Sequence, residues 1–276
     1  MTKDELISEI KSKRSFLCIG LDTDIEKIPV HLLKSDDPVF EFNRQIIDAT
    51  HHLCIAYKPN LAFYESLGIK GWQSLSRTIE YLRNNHPEIF TIADAKRGDI
   101  GNTSLQYAKA FLDDTNGFGF DAITVAPYMG SDSVKPFLQY SGKWAIILAL
   151  TSNKGAEDFQ FQVLENNAKL FEQVLRTTAS WGSSDNTMFV VGATKAPILA
   201  EIRKTVPDHF LLVPGIGAQG GSLAEVVHYG LNRDIGLIIN ASRSVIYAAD
   251  NEDFADEARK AAEEIQQEMK TFIDKM

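Results

Sequence analysis

Eight short apolar runs, separated by stretches of helical periodicity, restrict how this chain can fold more than any other feature. They lie near 16–22 (FLCIGLD), 53–60 (LCIAYKPN), 89–96 (IFTIADAK), 121–128 (DAITVAPY), 144–152 (WAIILALTS), 188–194 (MFVVGAT), 209–217 (HFLLVPGIG) and 235–242 (IGLIINAS). Most are continuously apolar rather than alternating, the pattern of parallel strands covered on both faces. Between them run helical stripes, such as Leu170, Phe171, Val174 and Leu175, or Phe254, Ala258, Ala261, Ile265, Met269 and Phe272. Thr2 with Glu5, and Ser222 with Glu225, match capping boxes at helix starts. No Pro/Gly/Ser-rich linker or low-complexity tract divides the 276 residues, of which 44% are hydrophobic, so one large core is within reach. Alternating β and α elements predict a single α/β domain over residues 1–276, a (β/α)8 TIM barrel. A doubly wound open sheet is the alternative that strand counting leaves open.

Polar residues collect where the predicted strands end. The first run ends in Asp22, the second in Lys58, the third in Asp94 and Lys96, and the fifth in Thr151-Ser152-Asn153. The seventh runs into Pro214-Gly215-Ile216-Gly217-Ala218-Gln219-Gly220-Gly221 and the eighth into Ser242-Arg243. In a parallel barrel these ends form one rim, where ligands bind. Asp94 and Lys96 are two apart, so simple alternation points them to one face. Four charges of alternating sign on three neighbouring strands are costly to bury for stability alone. Together they keep one another ionised, and a lysine held as a cation can protonate a developing carbanion. The glycine run, with a helix starting near Ser222, suits backbone N–H groups approaching a phosphate, and Arg243 adds a forked cationic donor. The same run could close as a lid, with Gln219 giving an amide to the phosphate.

The totals exclude several classes. A net charge of −9 argues against a nucleic-acid partner, though a local group of donors can still hold a small anion. Cys18 and Cys54 both sit inside apolar runs, so neither a disulfide framework nor a zinc site is expected, and a reducing cytoplasm fits. The six histidines show no ligand spacing, and the adjacent His51 and His52 read as ordinary residues. No apolar run approaches the ~18 residues needed to span a membrane, and Thr2-Lys3-Asp4-Glu5 has no signal-peptide character.

In barrel order, Leu21-Asp22, Tyr57-Lys58-Pro59-Asn60, Asp94-Ala95-Lys96-Arg97-Gly98-Asp99, Thr151-Ser152, the run Pro214 to Gly221 and Ser242-Arg243-Ser244 resemble the orotidine 5′-phosphate decarboxylase family along essentially the whole chain. The Asp-Ala-Lys-Arg-Gly-Asp form resembles its longer bacterial branch. The resemblance implies decarboxylation of orotidine 5′-monophosphate to UMP, the last step of pyrimidine synthesis, with no cofactor and no metal. It implies that Lys96 protonates C6 of the pyrimidine, that Asp94 stands near the departing carboxylate, and that Lys58 and Asp22 bind the ribose hydroxyls. By the same resemblance Ser152 contacts the pyrimidine, and Gly217, Gln219 and Arg243 serve the phosphate and the lid. Asp99 and Thr103 then reach the neighbouring subunit's site, which implies a homodimer. Read from the sequence alone, Asp99 is equally an ordinary loop acid. The segment Ala149-Leu150-Thr151-Ser152-Asn153 departs from the commoner pattern, which has an acid and a methionine before the serine, so Thr151 stays open as the ring contact. The connections 23–42 and 153–187 exceed those of a minimal barrel.

Two rival readings share parts of the pattern. Metal-dependent sister enzymes acting on sugar phosphates, such as 3-keto-gulonate 6-phosphate or hexulose 6-phosphate, need an extra carboxylate at the end of the second strand, where this chain has Lys58. A non-catalytic barrel that binds nucleotide monophosphates would keep the phosphate grip, with no use for Asp22, Lys58, Asp94 and Lys96 together.

Overall fold

The computed structural model of the chain describes residues 1–192, 196–215 and 221–276. Eight parallel strands close into a barrel in sequence order: β1 (Leu17–Leu21), β2 (Ala56–Pro59), β3 (Phe90–Arg97), β4 (Ala122–Val125), β5 (Trp144–Leu150), β6 (Thr187–Val191), β7 (Leu211–Pro214) and β8 (Leu237–Ala241). Closure is made by β1 against β8, with Leu17 opposite Ile239, Cys18 opposite Asn240 and Ile19 opposite Ala241. That pairing removes the open-sheet alternative, which would leave both strands as edges. Apart from Leu148 in β5 and the ends of β3 and β7, the strand residues are buried, as continuous apolar runs require.

Several strands are shorter than the apolar runs that announce them. β4 stops at Val125, before Pro127, and β7 stops at Pro214, whose ring has no N–H to continue a ladder. Gly215 follows with φ of 98°, a backbone conformation that favours glycine. Residues 53–55 are buried but lead into β2 rather than belonging to it.

Helices cover the outside of the barrel. The first, Lys3–Lys13, starts at the expected capping box, with the Thr2 N–H donating to Glu5 Oε2 at 2.7 Å and the Glu5 N–H to Thr2 Oγ1 at 3.3 Å. At Ser222 the structure forms the serine half, Ser222 Oγ accepting from the Glu225 N–H. The C-terminal helix Phe254–Ile273 packs against Pro38–Thr50, but its buried stripe is Phe254, Ala258, Ala262, Gln266 and Met269 rather than the run through Ala261 and Ile265. Gln266 is the reason apolarity misplaces the stripe. Its buried amide donates to the Lys13 carbonyl at 3.0 Å, satisfying a helix C-terminus that packing would otherwise leave bare. Among the described residues no helix is long and apolar enough to cross a membrane.

Candidate active site

The carboxyl ends of the strands surround a cleft of about 350 Å³. It is lined by Asp22, Lys58, Asp94 and Lys96 from β1 to β3, with Thr151 and Ser152 after β5, Gly215 after β7, and Ser242 and Arg243 after β8. Six of the strand ends that the sequence marks as polar therefore meet in one place.

Lys58 is 4% exposed, at the centre of a charged cluster. Its ammonium lies 3.0 Å from Asp94 Oδ2 and 3.9 Å from Asp22 Oδ1. Lys96 Nζ reaches the other Asp94 oxygen, Oδ1, at 2.6 Å. Thr124, at the end of β4, donates its hydroxyl to the same oxygen at 2.9 Å and accepts the Lys96 N–H at 2.9 Å. Burial alone would raise the Asp94 carboxyl, but the Lys58 and Lys96 ammoniums outweigh it and hold the group well below the usual carboxylate range. For Lys58 burial pulls the other way, and the carboxylates of Asp94 and Asp22 overcome it, raising the ammonium above its ordinary value. Both groups are thus fixed in their charged forms at neutral pH. Asp22 Oδ1 is buried without a hydrogen-bond partner among the described residues, an acceptor left ready for a ligand hydroxyl.

Alternation is not what brings Lys96 to Asp94. The β3–β4 register shifts between Ala93 and Arg97, and Lys96 sits in the irregularity with φ of 47°. A non-glycine residue rarely adopts that conformation, and the bulge re-aims a side chain at the strand's end. The Thr124 hydroxyl holds the Lys96 backbone there. Lys96 remains half exposed, its ammonium over the cleft.

The β5 end is braced from the long segment that follows it. Gln160 accepts the Thr151 N–H at 2.7 Å and donates to Thr151 Oγ1 at 2.8 Å, while that hydroxyl donates to Asn153 at 2.6 Å. Gly192, after β6, lies so close to Ser152 that an added Cβ would come within 2.8 Å of its backbone nitrogen. The chain beyond β1 is held in a similar way. Tyr247 donates its hydroxyl to the Asp22 carbonyl at 3.0 Å and accepts the Asp24 N–H at 2.7 Å. Arg243 opens a short helix after β8, exposed at the cleft rim.

Two sets of expected site residues do not join this cluster. Gly217 and Gln219 fall outside the described residues; on either side of them the Gly221 N–H donates to the Gly215 carbonyl at 3.2 Å. Asp99 and Thr103 are not among the lining residues. Asp99 accepts the Ile100 N–H at 2.7 Å, and Thr103 lies in the helix Gly101–Leu112.

A family model described as "Orotidine 5'-phosphate decarboxylase / HUMPS family" matches residues 15–258. The chain belongs to this family. It is 60% identical over 274 residues to the orotidine 5′-phosphate decarboxylase of Flavobacterium johnsoniae, covering 99% of each chain. It is 58% identical over 277 residues to that of Christiangramia forsetii, covering all of both. Among solved structures, OMP decarboxylase of Leishmania donovani superposes with a TM-score of 0.84 at 37% identity, over 99% of this chain and 100% of that one.

Within the orotidine 5′-phosphate decarboxylase fold of this chain, two cleft residues escape a reading of sequence pattern. Thr124 and Asn240 each stand inside an apolar run, where a lone polar side chain reads as a satisfied core group. Thr124 bonds Asp94, while Asn240 Oδ1 takes the buried Cys18 thiol at 3.6 Å at the cleft floor. Charge alternation at strand ends signals only the ionised members.

Proposed function

We propose that the chain decarboxylates orotidine 5′-monophosphate to UMP and carbon dioxide, using its own charged side chains and neither metal nor cofactor. The observation that carries the reading is Lys58 lodged between Asp94 and Asp22, with Lys96 on the other oxygen of Asp94. The family description spans two chemistries, and this geometry favours one of them. A divalent ion on Asp22 and Asp94 would meet the Lys58 ammonium, whereas hard cations seek oxygen ligands and a local excess of negative charge. The relatives at 58–60% identity carry the decarboxylase name, which supports the same choice.

The chemistry follows from the charges. The bond from C6 to the carboxylate breaks, carbon dioxide leaves and the electron pair stays on C6. The Lys96 ammonium gives that carbon a proton, becomes a neutral amine and recovers its proton from water. Asp94 keeps the ammonium charged and aimed until then. Lys58 and the Asp22 oxygen that lacks a hydrogen bond among the described residues suit the ribose hydroxyls. Ser152, which lines the cleft beside Thr151, serves as the ring contact. Arg243, with Gly217 and Gln219, serves the phosphate at the β7–β8 end, where barrels commonly bind one.

The active unit is a homodimer of single-domain chains, working in the cytoplasm. Ile100, Leu105, Tyr128 and Met129 are exposed apolar side chains on the Asp99 loop, the helix behind it and the neighbouring β4 loop. Ser104 ties those elements together, donating to the Ser133 carbonyl at 3.0 Å. A second copy on this face would cover them and let Asp99 and Thr103 reach its cleft.

Lys96→Ala tests the assignment. Where wild-type protein turns over orotidine 5′-monophosphate, the variant should lose at least about 10²-fold in kcat, the smaller end of what a positioned proton donor contributes, while still binding UMP. A kcat near the wild-type value would remove Lys96 from its role.

A further inference from the structure

We propose that His51, His86 and Glu88 form a binding site for a borderline divalent cation of the zinc type, on the barrel face opposite the cleft. One donor atom from each residue lies within 4.8 Å of the others. His51 caps the C-terminus of the helix Pro38–Thr50 and His86 that of Gly68–Asn85. Both precede strands, β2 and β3, so they sit at the amino ends of the barrel strands, whereas the charged cluster sits at the carboxyl ends.

The chemistry of the three donors is specific. Two imidazole nitrogens and one carboxylate oxygen suit zinc-like ions and not magnesium, which prefers oxygen alone. The imidazoles of His51 and His86 approach to 4.1 Å between ring centroids, and among the described residues neither makes a hydrogen bond. Glu88 Oε1 lies 4.0 Å from His86 Nδ1. Two helix C-termini end here, and their partial negative charge favours a cation.

Lys13 is the competing charge. Its ammonium lies 3.6 Å from Glu88 Oε1 and donates to the carbonyls of His51 at 2.9 Å and Cys54 at 3.2 Å. A carboxylate has two oxygens and can serve the ammonium with one and a metal with the other. Metal bonds of about 2.0–2.1 Å require the donors to close up by side-chain rotation, and three protein ligands leave the fourth position for water. The bound ion would staple two helix ends to the start of β3.

The test is calorimetric titration of ZnCl2 into tag-free, EDTA-treated and dialysed full-length protein, with MgCl2 as control. We expect one zinc per chain and no magnesium heat. Affinity should fall at least about tenfold in His86→Ala and in the conservative Glu88→Gln, and hold in His228→Ala, whose imidazole sits on the helix Leu223–Gly230 and is not one of the three donors. Zinc should raise Tm by a few degrees in wild type and in His228→Ala, by less in His86→Ala and Glu88→Gln, and leave decarboxylation unchanged. Absence of zinc binding would overturn the site. So would binding that Glu88→Gln leaves intact, or binding that UMP displaces, which would place the ion in the cleft.

Discussion

Lys96 sits where three demands meet: a backbone with φ of 47°, an ammonium half exposed to the cleft, and a 2.6 Å contact with Asp94. Its charge at the end of an apolar run was legible in the sequence. Its backbone was not, because a two-residue spacing predicts the same pairing from ordinary alternation. Asp22, Lys58 and Asp94 were legible for the same reason as Lys96, since charges at the ends of core strands are costly without a purpose. Thr124 was not, since one hydroxyl in an apolar run carries no such cost once bonded. The cluster sets a pH dependence. Asp94 has a depressed folded value, so its contribution to stability is complete above the ordinary aspartate value of about 4 and is lost as pH falls through the folded one. Lys58 has a raised folded value, so its contribution is complete below the ordinary lysine value of about 10.4 and is lost only as pH rises through the folded one. The stability difference between wild type and Asp94→Asn, measured by urea unfolding, should therefore be flat from about pH 5 to about pH 8. A slope in that window would show that Asp94 titrates there and is not held ionised.

At the scale of elements, strand positions were written in continuous apolar runs, and strand ends were not. Pro127 and Pro214 shorten β4 and β7, and at the β7 end Pro214 and the Gly215 that follows it line the cleft. The segment 153–187 had no evident purpose in sequence; in the fold Gln160 from it braces Thr151 and so fixes the β5 end beside Ser152. The C-terminal helix shows the opposite failure, where a polar Gln266 is the buried residue and Ala261 is not. The β7–β8 end yields a prediction about binding and rate together. Arg243→Ala removes a cationic donor from the rim, so KM for orotidine 5′-monophosphate should rise. Because binding at a remote group helps complete the closed site, kcat should fall as well. An unchanged kcat/KM would take Arg243 out of phosphate recognition.

For the whole molecule, the number of strands was countable from sequence, while the closure of β1 on β8 rests on contacts between chain ends that no local pattern records. His51 and His86 met by the same kind of long-range contact. The net charge of −9 also reads differently in three dimensions, because Lys58, Lys96 and Arg243 gather at one cleft and outnumber the carboxylates of Asp22 and Asp94 there. If Asp99 completes the partner's site, mixing inactive Lys96→Ala and Asp99→Ala proteins should restore part of the activity, since some mixed dimers hold one intact site. No recovery after verified subunit exchange would confine Asp99 to its own chain. The most direct test of the account is the absorbance change as wild-type protein converts orotidine 5′-monophosphate to UMP, followed with EDTA and with added Mg²⁺. Lys58 between the two carboxylates predicts conversion at the same rate in both. Loss of activity in EDTA that Mg²⁺ restores would contradict a cleft that works by its own charges.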